Sequence, residues 1–127
     1  MDRNNKSFQN NSLENFLQCV QNKKLVLFGA GNELGVCFDK VIDAYHLDVE
    51  YIVDNDFRKW YTDYFGYEIR EPQCMVRDDC NDMVVLITSI YPFRIEQQLI
   101  GMGIKYYYSF LLFLERHIGK QQFMVYF

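Results

Sequence analysis

The chain has 127 residues, of which 50% are hydrophobic and 24% charged; this composition folds as a globular domain, and the length allows one core with no room for a second, substrate-binding domain. The formal charge is −4 and basic residues stand together only as the dipeptides Lys23-Lys24 and Arg58-Lys59, so the charge pattern argues against nucleic acid and anionic membranes as main partners. No apolar run approaches the ~20 residues of a membrane span, and the polar stretch Met1 to Asn11 lacks the apolar core of a signal peptide; a cytoplasmic setting without membrane insertion is expected.

Residues 1–11 read as a flexible polar arm, followed by a single domain over 12–127. Ser12 is placed to cap a helix whose apolar residues Leu13, Phe16, Leu17 and Val20 recur at i, i+3, i+4 and i+7. Leu25 to Phe28 is a continuously apolar strand, as expected for a strand buried on both faces. A second helix follows the glycines of Gly29-Ala30-Gly31, with a stripe of Leu34, Cys37, Phe38, Val41, Ile42 and Tyr45 and with Asp39, Lys40 and Asp43 opposite. Val49 to Val53 is the second strand, reached by a crossover, so the two strands are parallel.

Gly66 marks a turn before a short strand at Tyr67 to Arg70, and Pro72 starts a short helix. Met83 to Thr88 is a strong apolar strand. Pro92 opens a helix striped by Ile95, Leu99 and Met102. Lys105 to Tyr108 is the last parallel strand, and Ser109 caps a terminal helix through His117. The expected architecture is α/β: a three-layer Rossmann-like domain with a five-stranded parallel sheet of order 3-2-1-4-5 and helices on both faces.

Ligands of such sheets bind beyond the carboxyl ends of the strands, where the order reverses. That rule gathers Gly29, Ala30, Gly31, Asn32, Asp54, Asn55, Thr88 and Ser89 around one crevice as cofactor-binding residues. Gly29 and Gly31 let the backbone turn and a pyrophosphate approach, and the following helix start attracts anions. Asn32 can cap that helix. Asp54 can accept bonds from both ribose hydroxyls and would repel a 2′-phosphate, which favours NAD over NADP; it can equally cap the turn at Phe57 to Trp60. Thr88 and Ser89 can bond a ligand or cap the Pro92 helix. The third glycine, Gly35, comes one residue later than in G-x-G-x-x-G, and Glu33 puts a carboxylate beside the turn.

No catalytic set is visible. No tyrosine has a lysine four residues later, and His46 and His117, at helix ends, read as solvated surface histidines. The cysteines Cys19, Cys37, Cys74 and Cys80 form no Cys-x-x-Cys pair, so no metal is expected; Cys19 and Cys37, on apolar helix faces, read as reduced core thiols. Aromatic residues reach 17%. The runs Trp60-Tyr61, Tyr64-Phe65 and Tyr106 to Tyr108, with the uncharged tail Phe123 to Phe127, predict an interface: a homodimer or docking to a larger catalytic protein.

The stretch Tyr51-Ile52-Val53-Asp54-Asn55-Asp56 with Lys59-Trp60, then Gly66-Tyr67-Glu68-Ile69, Val84 to Thr88 and Gly103-Ile104, resembles small Rossmann-like domains of bacterial surface-polysaccharide and sugar-modification proteins. Such domains stand ahead of nucleotide-sugar dehydratases, epimerases, acyltransferases and methyltransferases. The resemblance implies a module that binds NAD or a nucleotide-sugar, with Gly29, Gly31, Asp54 and Asn55 on the ligand side. Two other readings stand beside it. One is the cofactor half of a dehydratase, epimerase or S-adenosylmethionine-dependent methyltransferase, and the other is a scaffold with a vestigial pocket.

Overall fold

The computed structural model describes residues 8 and 10–115. Lys24–Phe28 (β1), Tyr51–Val53 (β2), Tyr67–Arg70 (β4), Met83–Ile87 (β5) and Tyr107–Ser109 (β6) pair in parallel. The short Asp63–Tyr64 (β3) joins β4 antiparallel, giving a six-stranded order β3-β4-β2-β1-β5-β6. The parallel order expected from sequence is therefore present, with one edge strand added. That strand is two residues long, too short to show alternation in a sequence. Its turn is held by the Gly66 amide, which donates to Asp63 Oδ2 at 3.0 Å.

Register explains the burial. Leu27 lies between Ile52 and Leu86, and Phe28 between Val53 and Ile87. Successive residues point to opposite faces, so each apolar strand feeds two cores. Leu25, Leu27, Ile52, Val84 and Leu86 join Phe16, Leu34, Val41, Phe110 and Phe113 on one face. Val26, Phe28, Val53, Val85 and Ile87 join Met75, Ile95, Leu99 and Leu112 on the other. All five residues of β5 are buried, and each large apolar side chain so placed contributes about 1.5–3 kcal/mol.

The helices Leu13–Val20 (α1), Asn32–Cys37 (α2), Pro92–Gly101 (α3) and Phe110–Phe113 (α4) cover these faces. Ser12 caps α1 as expected, its hydroxyl accepting the Asn15 amide at 3.0 Å. Ser109 caps α4, accepting the Leu112 amide at 3.2 Å. The expected second helix changes character after α2. Phe38–Ile42 is a π-helical turn, closed by the Asp43 amide on the Phe38 carbonyl at 2.8 Å. Leu34, Cys37, Val41 and Ile42 stay buried, but the extra residue in the turn leaves Tyr45 exposed.

Within the expected arm, Phe8 and Asn11 pack against the domain. Phe8 stands edge-on to Phe93 and Tyr107. The buried Asn11 amide donates to the Ser109 carbonyl at 3.1 Å and its Oδ1 accepts the Ser109 amide at 2.6 Å. It thus satisfies backbone groups at the end of the edge strand β6, which limits edge-to-edge pairing there. The terminal helix beyond residue 115, His117 and the tail Phe123 to Phe127 lie outside the described residues. Among the described residues no helix is long and apolar enough to cross a membrane.

Candidate functional site

β1 delivers the chain into Gly29, whose φ of +130° is a conformation that favours glycine. A Cβ there would stand 2.6 Å from Thr88 Oγ1. The Thr88 hydroxyl is buried and donates toward the Phe28 and Gly29 carbonyls at 3.1 and 2.7 Å. The Gly29 amide reaches the Val53 carbonyl at 2.8 Å. The turn is thus pinned on both sides by the ends of β2 and β5.

Asp54 closes the arrangement. Its Oδ2 accepts the Ala30 amide at 2.6 Å and its Oδ1 accepts the Asp56 amide at 2.7 Å. Lys59 Nζ donates to the Ala30 carbonyl at 2.9 Å, and Trp60 Nε1 donates to the Asp54 carbonyl at 2.7 Å. The cap of the Phe57–Lys59 turn is Asp56 and not Asp54, since Asp56 Oδ1 accepts the Arg58 amide at 3.0 Å. Hydrogen bonds from the Arg58 side chain hold the Asp56 carboxyl below its ordinary range. Asp54 keeps acceptor capacity, because a carboxylate offers about four lone-pair sites and two are engaged.

These residues border a cleft of about 300 Å³. Six expected residues line it: Gly29, Gly31, Asn32, Asp54, Thr88 and Ser89. Gly31, rather than Asn32, is the N-cap of α2, and Asn32 is its first residue. A Cβ on Gly31 would meet nothing within 4 Å, so its absence keeps the cleft floor open. Ser89 Oγ accepts the Tyr91 amide at 3.0 Å. Ala30 takes part through its backbone. Asn55 turns to α3, exchanging hydrogen bonds of 2.9 and 3.0 Å with Gln98.

Lys59, Ile90 and Tyr91 also line the cleft, as does Glu33. Sequence reasoning did not assign the first three to it. Lys59 reaches the cleft because the turn after Asp56 folds back over Ala30, and no local pattern announces such a return. The lining sets the Glu33 and Asp54 carboxylates against the Lys59 ammonium.

No family model matches the chain, and no curated protein matches it. Solved structures do. The fold is Rossmann-like. It is similar to RSP, a Rex-family repressor, with a TM-score of 0.58 and 14% identity over 95% of this chain and 64% of that one. The same repressor in complex with β-NADH matches with a TM-score of 0.57 and 14% identity, over 95% and 65% of the two chains. Its complex with β-NAD+ and operator DNA matches at 0.55 and 13% identity, over 88% and 60%. The chain therefore spans 60–65% of the length of these repressors, and identity this low carries the fold and not the activity.

One expectation is corrected by these matches. Net charge argued against nucleic acid as a partner, yet one protein of this fold is held on operator DNA. A charge summed over one domain describes neither its local patches nor whatever stands beside it in a longer protein. Nothing in the matches points to polysaccharide synthesis.

Proposed function

We propose that this domain binds a nucleotide of the NAD type in the cleft at the carboxyl ends of β1, β2 and β5. The observation that carries the reading is the Asp54–Ala30 bridge. It makes the acid that would accept ribose hydroxyls and the turn that would face a pyrophosphate one hydrogen-bonded unit, open to the same cleft. Support also comes from the fold, since the similar repressor carries β-NADH in one structure and β-NAD+ in another. In this reading the free lone pairs of Asp54 take the ribose diol, Gly31 admits the diphosphate, and Lys59 exchanges the Ala30 carbonyl for a phosphate oxygen. Ile90 and Tyr91, exposed at the cleft wall, cover an apolar ring face.

The finer reading, a nucleotide-sugar bound for surface-polysaccharide synthesis, rests on the Asp54-Asn55-Asp56 and Lys59-Trp60 stretch. A thermal-shift panel tests both. NAD+, NADH, NADP+, S-adenosylmethionine and a uridine-diphosphate sugar are compared on the purified protein. A ligand at a hundred times its dissociation constant stabilises by about 2.7 kcal/mol. Stabilisation by NAD+ or NADH and not by NADP+ is expected. A response to the sugar nucleotide alone selects the finer reading, and no response to any nucleotide ends both.

A further inference from the structure

We propose a second binding site, for an organic ammonium cation, between the π-helical turn and the β3–β4 hairpin. A cavity of about 350 Å³ lies there, within the size range of small-molecule sites, and it shares no lining residue with the cleft over the glycine turn. Its walls include the rings of Phe38, Tyr64, Phe65 and Tyr67, and its acidic groups are Asp39 and Asp43.

The rings meet at varied angles. Phe38 is tilted by 35° to Tyr64 at 5.8 Å and by 41° to Tyr67 at 5.6 Å, while Phe65 stands at 84° to Tyr64 at 4.8 Å. Aromatic faces carry negative quadrupole density, and a cation gains from contact with such faces. A methylated ammonium suits the site best, because its charge is spread over methyl groups that also bury against rings.

The carboxylates argue in the same direction. Asp39 and Asp43 are four residues apart on one helical turn, and like charges so spaced repel. Among the described residues neither has an ion pair, and no lysine or arginine lines the cavity. A cation placed between them relieves that repulsion, whereas an anion is excluded. A metal ion is a poor occupant, since among the described residues no group of three or more potential ligands converges.

Phe65 supplies a separate observation. It is 85% exposed, so its ring is open to a ligand. Its φ of +48° and the +96° of Gly66 are the paired positive values that a two-residue turn from Tyr64 to Tyr67 requires.

Amide spectra of the whole chain, titrated with choline at constant ionic strength, test the site. Saturable shifts are expected at Gly35, Asp39, Asp43 and Gly66, with none for 3,3-dimethylbutanol, the neutral isostere. Phe65→Ala, at an exposed position that leaves the fold intact, weakens choline by about fivefold, the loss of one exposed cation–π contact. Asp39→Asn combined with Asp43→Asn weakens it further. A trimethyllysine amide in a parallel titration separates a free ammonium from a protein-borne one, the tighter probe naming the source. Absence of saturable shifts with either cation overturns the proposal. So does an equal response to the neutral isostere, or unchanged choline binding in Phe65→Ala.

Discussion

Asp54 Oδ2 lies 2.6 Å from the Ala30 amide nitrogen, so the side chain that ends β2 is the acceptor for the turn that ends β1. Sheet pairing alone brings β1 and β2 side by side; this bond fixes the loops beyond them. Removing it has a structural cost apart from any ligand. Asp54→Ala leaves the Ala30 and Asp56 amides without their carboxylate acceptor and is expected to destabilise by about 2 kcal/mol, the worth of hydrogen bonds to a charged group. Asp54→Asn costs less, because one amide oxygen still accepts. Urea unfolding of both variants measures the difference, and an unchanged midpoint for Asp54→Ala refutes the bridging role.

The glycines of the turn serve different purposes, and a pair of substitutions separates them. Gly29→Ala forces a side chain into a positive φ and against Thr88 Oγ1, with an expected cost of about 3 kcal/mol from strain and overpacking. Gly31→Val adds a Cβ that meets nothing within 4 Å and is expected to cost about 1 kcal/mol, through loss of a good N-cap residue. The Val variant should fold and yet lose the stabilisation by NAD+ or NADH. Calorimetry decides: equal nucleotide affinity in Gly31→Val removes the turn from the site.

Acid should loosen the turn that carries Lys59 into the cleft. The Asp56 carboxyl is held below its ordinary value, first by hydrogen bonds from the Arg58 side chain. A folded-state value below the unfolded one, about 3.9, means that the charged form is favoured by folding. Its contribution is present above that pH and is lost as pH falls through the depressed folded value. Carboxyl carbon shifts of Asp56 followed from neutral to acid pH are expected to titrate late, and Arg58→Ala should return the midpoint toward the ordinary range. A midpoint unmoved by that change contradicts the pairing.

Cys37 packs under the sheet in the α1–α2 core, and burial pushes its thiol well above the ordinary range. Thiolate is the reactive form. In the folded protein, iodoacetamide at mildly alkaline pH should leave Cys37 unmodified until denaturant is added, as peptide mass spectrometry reads. Prompt alkylation of Cys37 in native buffer would place it outside the core.

The sequence alone determined the parallel part of the sheet, because strands buried on both faces must be apolar throughout; the two-residue antiparallel edge strand β3 came only from the structure. Leu25 to Phe28 and Met83 to Ile87 therefore announce themselves, and glycines after the first strand locate the ligand end. Ser12 and Ser109 were legible as caps for the same local reason: one hydroxyl meets one amide three residues on. Only the tertiary structure decided how the loops share their polar groups. Asp54 serves Ala30, which precedes it by 24 residues, Asn55 serves Gln98 at a separation of 43, and Asn11 serves Ser109 at 98. No periodicity encodes partners at such separations. The π-helical turn is of the same kind, since one extra residue per turn leaves the apolar stripe almost unchanged in sequence. In space it turns Tyr45 outward and sets Asp39 and Asp43 beside the hairpin aromatics.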